Sequence, residues 1–131
     1  MGIDRAITFP SGQVPAWTTV RALLVEHGYP VPMRMIDGEL AFPDEEPNEP
    51  WRELRVGAAA GMVTVRREGS QVVCVTWGNA DAALTQLWNA LAWAFAEAGQ
   101  GQILTAAGTA NAADFARQMG VHGTMQRPPK S

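Results

Sequence analysis

Residues 77–98, WGNADAALTQLWNALAWAFAEA, form the most strongly patterned stretch of the chain and decide its fold. At 100° per residue, seven of its apolar residues fall within about 80° of Leu84, which predicts an amphipathic helix packed on the core. These residues are Leu84, Leu87, Trp88, Leu91, Ala94, Phe95 and Ala98. Trp93 lies on the opposite side of the wheel, among polar residues. We therefore expect either an exposed indole that anchors an interface or an indole buried under another part of the chain.

Two shorter helices are predicted around this one. Pro15 suits a first helical turn and Gly28 a left-handed stop, which predicts a helix between them. Asn111 can cap a helix whose third residue is Asp114, and Gly120 ends that pattern. Short segments that alternate apolar and polar residues predict strands. We therefore expect an α+β fold: a mostly antiparallel sheet of about five or six short strands, with one long amphipathic helix and two shorter helices packed on it.

Two turn signals predict β-hairpins. Asp37-Gly38 separates two apolar-rich segments, and both residues tolerate the positive φ that a two-residue turn needs. Glu68-Gly69 separates a second pair of segments, and a turn there puts Val65 opposite Val72. Moving the turn one residue further along would set Arg67 opposite Val72 instead. We prefer the first register because it pairs apolar residues.

The length and composition are those of an ordinary globular domain. The chain has 131 residues, of which 47% are hydrophobic and 18% are charged. We expect one domain over residues 1–120 and a flexible C-terminal tail over residues 121–131, where no period is visible. The net charge of −3 and the lack of a basic cluster disfavour nucleic-acid binding.

The single cysteine and the lack of long apolar runs indicate the cellular compartment of the protein. Cys74 is the single cysteine, so the fold cannot depend on an internal disulfide, which indicates a reducing environment. The N-terminal segment has no apolar run of signal-peptide length, and the sequence contains no apolar stretch of about 18 residues. We therefore expect a cytoplasmic protein that does not interact with a membrane.

Few residues offer catalytic chemistry. His27 is expected at the end of a helix, His122 in the tail and Cys74 on the buried face of a strand. The spacings match no zinc site, EF-hand, P-loop or dinucleotide fingerprint. The sequence thus predicts no catalytic residue, no metal site and no cofactor, and an enzyme is not the favoured interpretation.

A strongly acidic segment lies between Asp37 and Glu53. It holds seven of the thirteen acidic residues and one basic residue, Arg52, which gives a charge of −6. Its centre, PDEEPNEP over residues 43–50, predicts a solvated loop. Together with Trp51 beside them and with the exposed alternative for Trp93, the acids predict a surface that docks another protein, in particular a basic one. The residues assigned to this surface are Asp44, Glu45, Glu46, Glu49, Trp51 and Trp93.

The favoured function is a small protein-binding module, comparable only by analogy with bacterial immunity or antitoxin proteins that mask a basic partner. Two alternatives stay open. A small-molecule-binding protein or minimal enzyme would use a pocket at the strand-to-helix junction, formed by Arg66, Trp77, Asn79 and Asp81. A structural homo-oligomer would associate through Trp93.

Overall fold

The structure is a computed structural model that describes residues 2–29, 31–58, 61–77, 82–105 and 108–119. Asn79 and Asp81 lie outside the described residues, as do His122 and the predicted tail over 121–131.

One antiparallel sheet is the framework of the described chain. Its strands are β1 (Gly2–Thr8), β2 (Met33–Ile36), β3 (Glu39–Leu40), β4 (Glu53–Ala58), β5 (Gly61–Glu68), β6 (Gln71–Trp77), β7 (Gln102–Thr105) and β8 (Gly108–Ala110). Within the described ranges they form an 8-stranded sheet in the order β3-β2-β4-β5-β6-β1-β7-β8. All neighbouring pairs are antiparallel. The N-terminal strand β1 therefore lies inside the sheet, between β6 and β7.

Three helices in the described part of the chain accompany this sheet. They are α1 (Trp17–Glu26), α2 (Ala82–Gly99) and α3 (Ala112–Met119). α2 contacts β1, β5, β6 and β7, and both α1 and α3 contact α2. The α+β class, the antiparallel sheet and the presence of three helices are thus confirmed.

The predicted strand number and helix lengths are wrong. The sheet has eight described strands instead of five or six, and α1 starts at Trp17, two residues after the Pro15 start that the sequence predicts. β8, with three residues, is a strand that the sequence does not predict, and β3, the second arm of the Asp37-Gly38 hairpin, has only two residues. Such short strands depend on hydrogen bonds and packing from their neighbours more than on their own propensity, so the sequence does not define their number or their ends.

α2 is buried on more sides than an amphipathic surface helix, so the solvated face expected around Trp93 is wrong. Trp93 is 1% exposed and Asn89 is 7% exposed. The His27 ring, directly after α1, lies 4.9 Å from the Trp93 ring, measured between centroids. On another side, Arg5 Nε of β1 donates a hydrogen bond to Asn89 Oδ1 at 3.0 Å. Other elements of the fold therefore cover these residues, which a helical wheel cannot show.

The prediction is confirmed for one of the two hairpins and wrong for the register of the other. The Asp37-Gly38 turn is confirmed, with φ of 50° and 86° at its two residues and Ile36 paired with Glu39. The preferred register of the second hairpin is wrong. Glu68 pairs with Gln71, so the turn lies at residues 69–70 and Arg67 is opposite Val72. The cation is accommodated because other side chains cover it, as the candidate site shows.

Candidate functional site

The acidic segment connects β3, at the edge of the sheet, to β4. Its first half is fastened to the neighbouring strand, because Met33 donates its backbone N–H to the Pro43 carbonyl at 2.9 Å. The segment then folds back on itself, since Glu45 Oε1 accepts a hydrogen bond from the Phe42 N–H at 3.0 Å. These bonds hold the first part of the loop against the edge of the sheet.

Asp37, the first residue of the acidic segment, is hydrogen-bonded to the end of that segment. Its Oδ1 atom accepts hydrogen bonds from the backbone N–H of Arg52 at 2.7 Å and of Glu53 at 2.8 Å. These bonds, that from Glu53 first, hold the pKa of Asp37 below its usual range, because they stabilise the ionised carboxylate. The Asp37 N–H also donates to the Glu53 carbonyl at 2.7 Å. The β2–β3 turn and the start of β4 are thereby joined.

The exposure predicted for Trp51 is wrong, since its side chain is 0% exposed. Its indole packs against Phe95 of α2, with ring centroids 6.3 Å apart, and its Nε1–H donates to Glu49 Oε2 at 3.1 Å. Arg67 covers the ring, with Cζ 4.3 Å from the centroid, and donates from Nη2 to Glu49 Oε1 at 2.9 Å. Glu49, Trp51 and Arg67 therefore form one cluster, which fastens the end of the acidic loop to the core.

Trp93 is also internal, with 1% of its side chain exposed. Of the two alternatives that the sequence left open, the structure has the second, burial under another part of the same chain, because His27 lies against it. A homo-oligomer stays a prediction. Trp93 cannot be its contact residue in this conformation, because a side chain that is 1% exposed has no surface to offer.

Several acids of the segment have no internal partner. Glu45 and Glu49 bond within the chain, whereas the carboxylates of Glu39, Asp44 and Glu46 make no hydrogen bond or ion pair with any described residue. A cavity of about 350 Å³ is lined by two of these three acids, Glu39 and Glu46, together with Glu45. Two carboxylates that are available to an external cation therefore border one concave site.

Two apolar side chains that the sequence analysis did not select lie among these acids. Leu40 is 87% exposed and Phe42 is 74% exposed. The sequence places both in the second arm of the Asp37-Gly38 hairpin, where alternate side chains are expected to be buried, but β3 ends at Leu40 and lies at the edge of the sheet. Pro43 predicts only that the strand ends after Phe42, so it does not reveal the exposure of these two side chains. We name this surface the acidic edge. It consists of Glu39, Leu40, Phe42, Asp44, Glu45 and Glu46.

Two of the four residues predicted for a small-molecule pocket, Arg66 and Trp77, are among the described residues, and they lie apart. Arg66 is exposed and pairs with Val73, whereas Trp77 ends β6 four residues further along. Their backbones are therefore about 13 Å apart at 3.3 Å per residue. Arg66 instead borders a cavity of about 460 Å³ with two other arginines and three acids, whose charges balance. The other two predicted residues, Asn79 and Asp81, lie outside the described residues.

A second cation is enclosed between the sheet and the helices. The Arg5 Cζ atom lies 4.3 Å from the centroid of the Trp88 ring and 5.1 Å from that of Phe115. Burial lowers the pKa of Arg5 from its ordinary value. The aromatic faces and the Asn89 amide stabilise the guanidinium, so this arrangement is structural. No local sequence pattern predicts this arrangement, because these residues lie far apart in the chain.

Cys74 lies beside Arg5 and does not offer a reactive thiol. It is 0% exposed, and desolvation raises its pKa to about 12, against a smaller opposing effect of Arg5. Among the described residues, no group of three or more His, Cys, Asp or Glu side chains could hold a metal ion. No helix in the described ranges is long and apolar enough to cross a membrane.

The fold belongs to the α+β class, with an antiparallel sheet and three helices among the described residues. No protein-family model matches the chain, and comparisons with curated proteins and with solved structures found no match either. The function must therefore be argued from the acidic edge itself.

Proposed function

We propose that the protein is a binding module for another protein and that the acidic edge is its docking surface. The observation that carries this proposal is the position of Leu40 and Phe42. They are the most exposed large apolar side chains in the described chain, and they belong to a segment in which the carboxylates of Glu39, Asp44 and Glu46 have no partner among the described residues. Apolar side chains inside a charged rim are typical of protein interfaces.

The charge of the surface defines the class of partner. The segment from Asp37 to Glu53 carries −6, whereas the whole chain carries −3. A basic surface is attracted to this region and oriented by it, which raises the association rate and makes it depend on salt. The partner is therefore a protein with a basic patch around an apolar contact.

The internal cluster of Glu49, Trp51 and Arg67 supports this function indirectly. It joins the C-terminal end of the acidic loop to β5 and to α2, while Glu45 folds the other end back. A loop held at both ends loses less conformational entropy on binding than a free one. The tryptophan thus contributes by fixing the loop, instead of by contacting the partner.

Site-directed photo-cross-linking tests the proposal in cells that produce the protein. With p-benzoylphenylalanine in place of Phe42, we expect a covalent product with a second, different protein after illumination. The matched control places the same residue at Val25, which is 50% exposed on α1. We expect no such product from position 25.

Neutralising the acids in the same background separates docking from chance contact. Asp44→Asn, Glu45→Gln and Glu46→Gln together should reduce the yield from position 42 severalfold, because the electrostatic attraction is lost. Equal yields from positions 42 and 25, a yield that ignores neutralisation, or a product made of two copies of this chain would each overturn the proposal.

A further inference from the structure

Two cavities of different chemistry meet at Leu40. Their arrangement indicates which kind of peptide segment a partner would present, an inference that rests on the proposed function. The first is the acidic cavity of about 350 Å³ that Glu39, Glu45 and Glu46 border. The second has about 460 Å³ and is lined largely by apolar side chains, among them Met35, Met62 and Pro43. Leu40 lines both cavities.

Met62, one of the residues that line the apolar cavity, lies beside a glycine of the sheet. Gly57 of β4 pairs with Met62 of β5, and a Cβ atom at Gly57 would lie 3.0 Å from the Met62 Cγ atom. The Met62 side chain therefore lies over a strand position that has no side chain of its own, and it remains 43% exposed. Methionine is unbranched and adapts to ligands of different shape, so it is common on surfaces that bind apolar peptide side chains.

The charges around the two cavities are asymmetric. Arg34 is the one charged residue that lines the apolar cavity, whereas the acidic cavity is lined by carboxylates alone among charged groups. A cation in a bound segment is repelled by Arg34 and attracted to Glu39, Glu45 and Glu46. The charge pattern therefore sets the direction in which a segment with a basic and an apolar side chain can lie.

The edge of the sheet is a poor site for an added strand, although β3 is the outermost strand. β3 has two residues, the Phe42 N–H is already bonded to Glu45, and Pro43 has no N–H to donate. Short strands, prolines and charges are features that prevent edge pairing. Recognition here therefore depends on side chains entering cavities, not on backbone pairing.

From these relationships we propose that the acidic edge binds an extended peptide segment of its partner through two side chains. One is a basic side chain that enters the acidic cavity. The other is a large apolar side chain that enters the methionine-lined cavity. Alternate side chains of an extended peptide lie on the same side, about 7 Å apart, which lets one segment fill both cavities across Leu40.

A displayed library of random nine-residue peptides, selected on the full-length protein, tests this specificity. We expect enrichment of sequences that have Arg or Lys two positions from Leu, Met or Phe. A synthetic peptide of the enriched consensus should bind Glu46→Gln and Leu40→Ser about tenfold more weakly than the wild type. Glu26→Gln and Val25→Ser, at exposed positions of α1, are the matched controls and should bind normally.

The outcomes separate this inference from the proposed function. Absence of enrichment, or enrichment of acidic or purely apolar peptides, overturns the two-cavity inference; the proposed function then stands if cross-linking from position 42 persists. A wild-type dimer that Leu40→Ser dissociates would assign the surface to a second copy of the chain and overturn both. Circular dichroism of each variant confirms that it is folded.

Discussion

The guanidinium group of Arg67 lies over the indole of Trp51, with its Cζ atom 4.3 Å from the ring centroid, and Glu49 bonds both side chains. This relationship joins three features that look independent in the sequence: an acidic loop, a tryptophan beside it and an arginine in a hairpin. It brings the tryptophan into the core and lets the arginine occupy the inner face of β5. The loop that presents the acidic edge is consequently joined to the hydrophobic core.

Replacing Arg67 by Met should destabilise the protein by about 1–3 kcal/mol. The methionine retains an unbranched apolar chain over Trp51, but the cation–π contact and the charge-assisted bond to Glu49 are lost. Urea denaturation followed by tryptophan fluorescence measures the change. In a double-mutant cycle with Glu49→Gln, we expect a coupling energy of about 1 kcal/mol, because the two side chains are in contact.

The matched control for that cycle is the Arg55–Glu53 pair, where Arg55 Nε lies 3.3 Å from Glu53 Oε2 and the side chains are 43% and 31% exposed. Arg55→Met should cost less than about 1 kcal/mol, because exposed ion pairs contribute little. Equal losses in the two pairs would contradict the structural role of the Arg67 cluster.

Trp93→Ala should reduce the free energy of unfolding by about 3–5 kcal/mol without changing the mass of the native particle. The indole is 1% exposed and lies against His27, so its removal leaves a cavity between α1 and α2. Urea denaturation and light scattering check the two parts of the prediction. Val25→Ala, at an exposed position of α1, should change stability by no more than about 0.5 kcal/mol. A stable Trp93 variant with a changed assembly state would contradict the observed burial.

Asp37 should make the stability of the protein fall in acid. Its pKa is lowered in the folded state, so its contribution is present above the unfolded value of about 3.9 and is lost as the pH falls through the folded value. Asp37→Asn can keep the turn, since Asn tolerates positive φ, and should flatten the decline between about pH 5 and pH 2. Asp44→Asn, where no hydrogen bond is lost, should retain the wild-type slope.

The local features of the fold could be predicted because their causes lie within a few residues. The Asp37-Gly38 turn follows from two residues that tolerate positive φ. The start of α3 follows from Asn111, whose Oδ1 accepts a hydrogen bond from the Asp114 N–H at 2.8 Å. In both cases all the residues that interact lie within a few positions of each other in the chain.

The wrong predictions concern interactions between distant residues. The sequence favours the wrong register for the β5–β6 hairpin because that register pairs apolar residues, whereas the observed one places Arg67 inward against Glu49, eighteen residues earlier in the chain. The helical wheel leaves the burial of Trp93 open because its cover, His27, follows a different helix. The acidic loop could be recognised from its composition, whereas Leu40 and Phe42 could not be selected before the end of β3 was known.

Cys74 should make the protein less stable at high pH, in the direction opposite to Asp37. Burial raises the pKa of its thiol to about 12, whereas the pKa of a thiol in the unfolded chain is about 8.5. As the pH rises above the unfolded value, the unfolded state loses a proton that the native state keeps, and the free energy of unfolding falls. Urea denaturation at pH 7 and pH 10 measures the decline, and Cys74→Ala should reduce it.

In parallel, Ellman's reagent at pH 8 should modify the native thiol far more slowly than the thiol in guanidinium, because reaction requires unfolding. Rapid modification of the native protein would show that β6 opens to solvent.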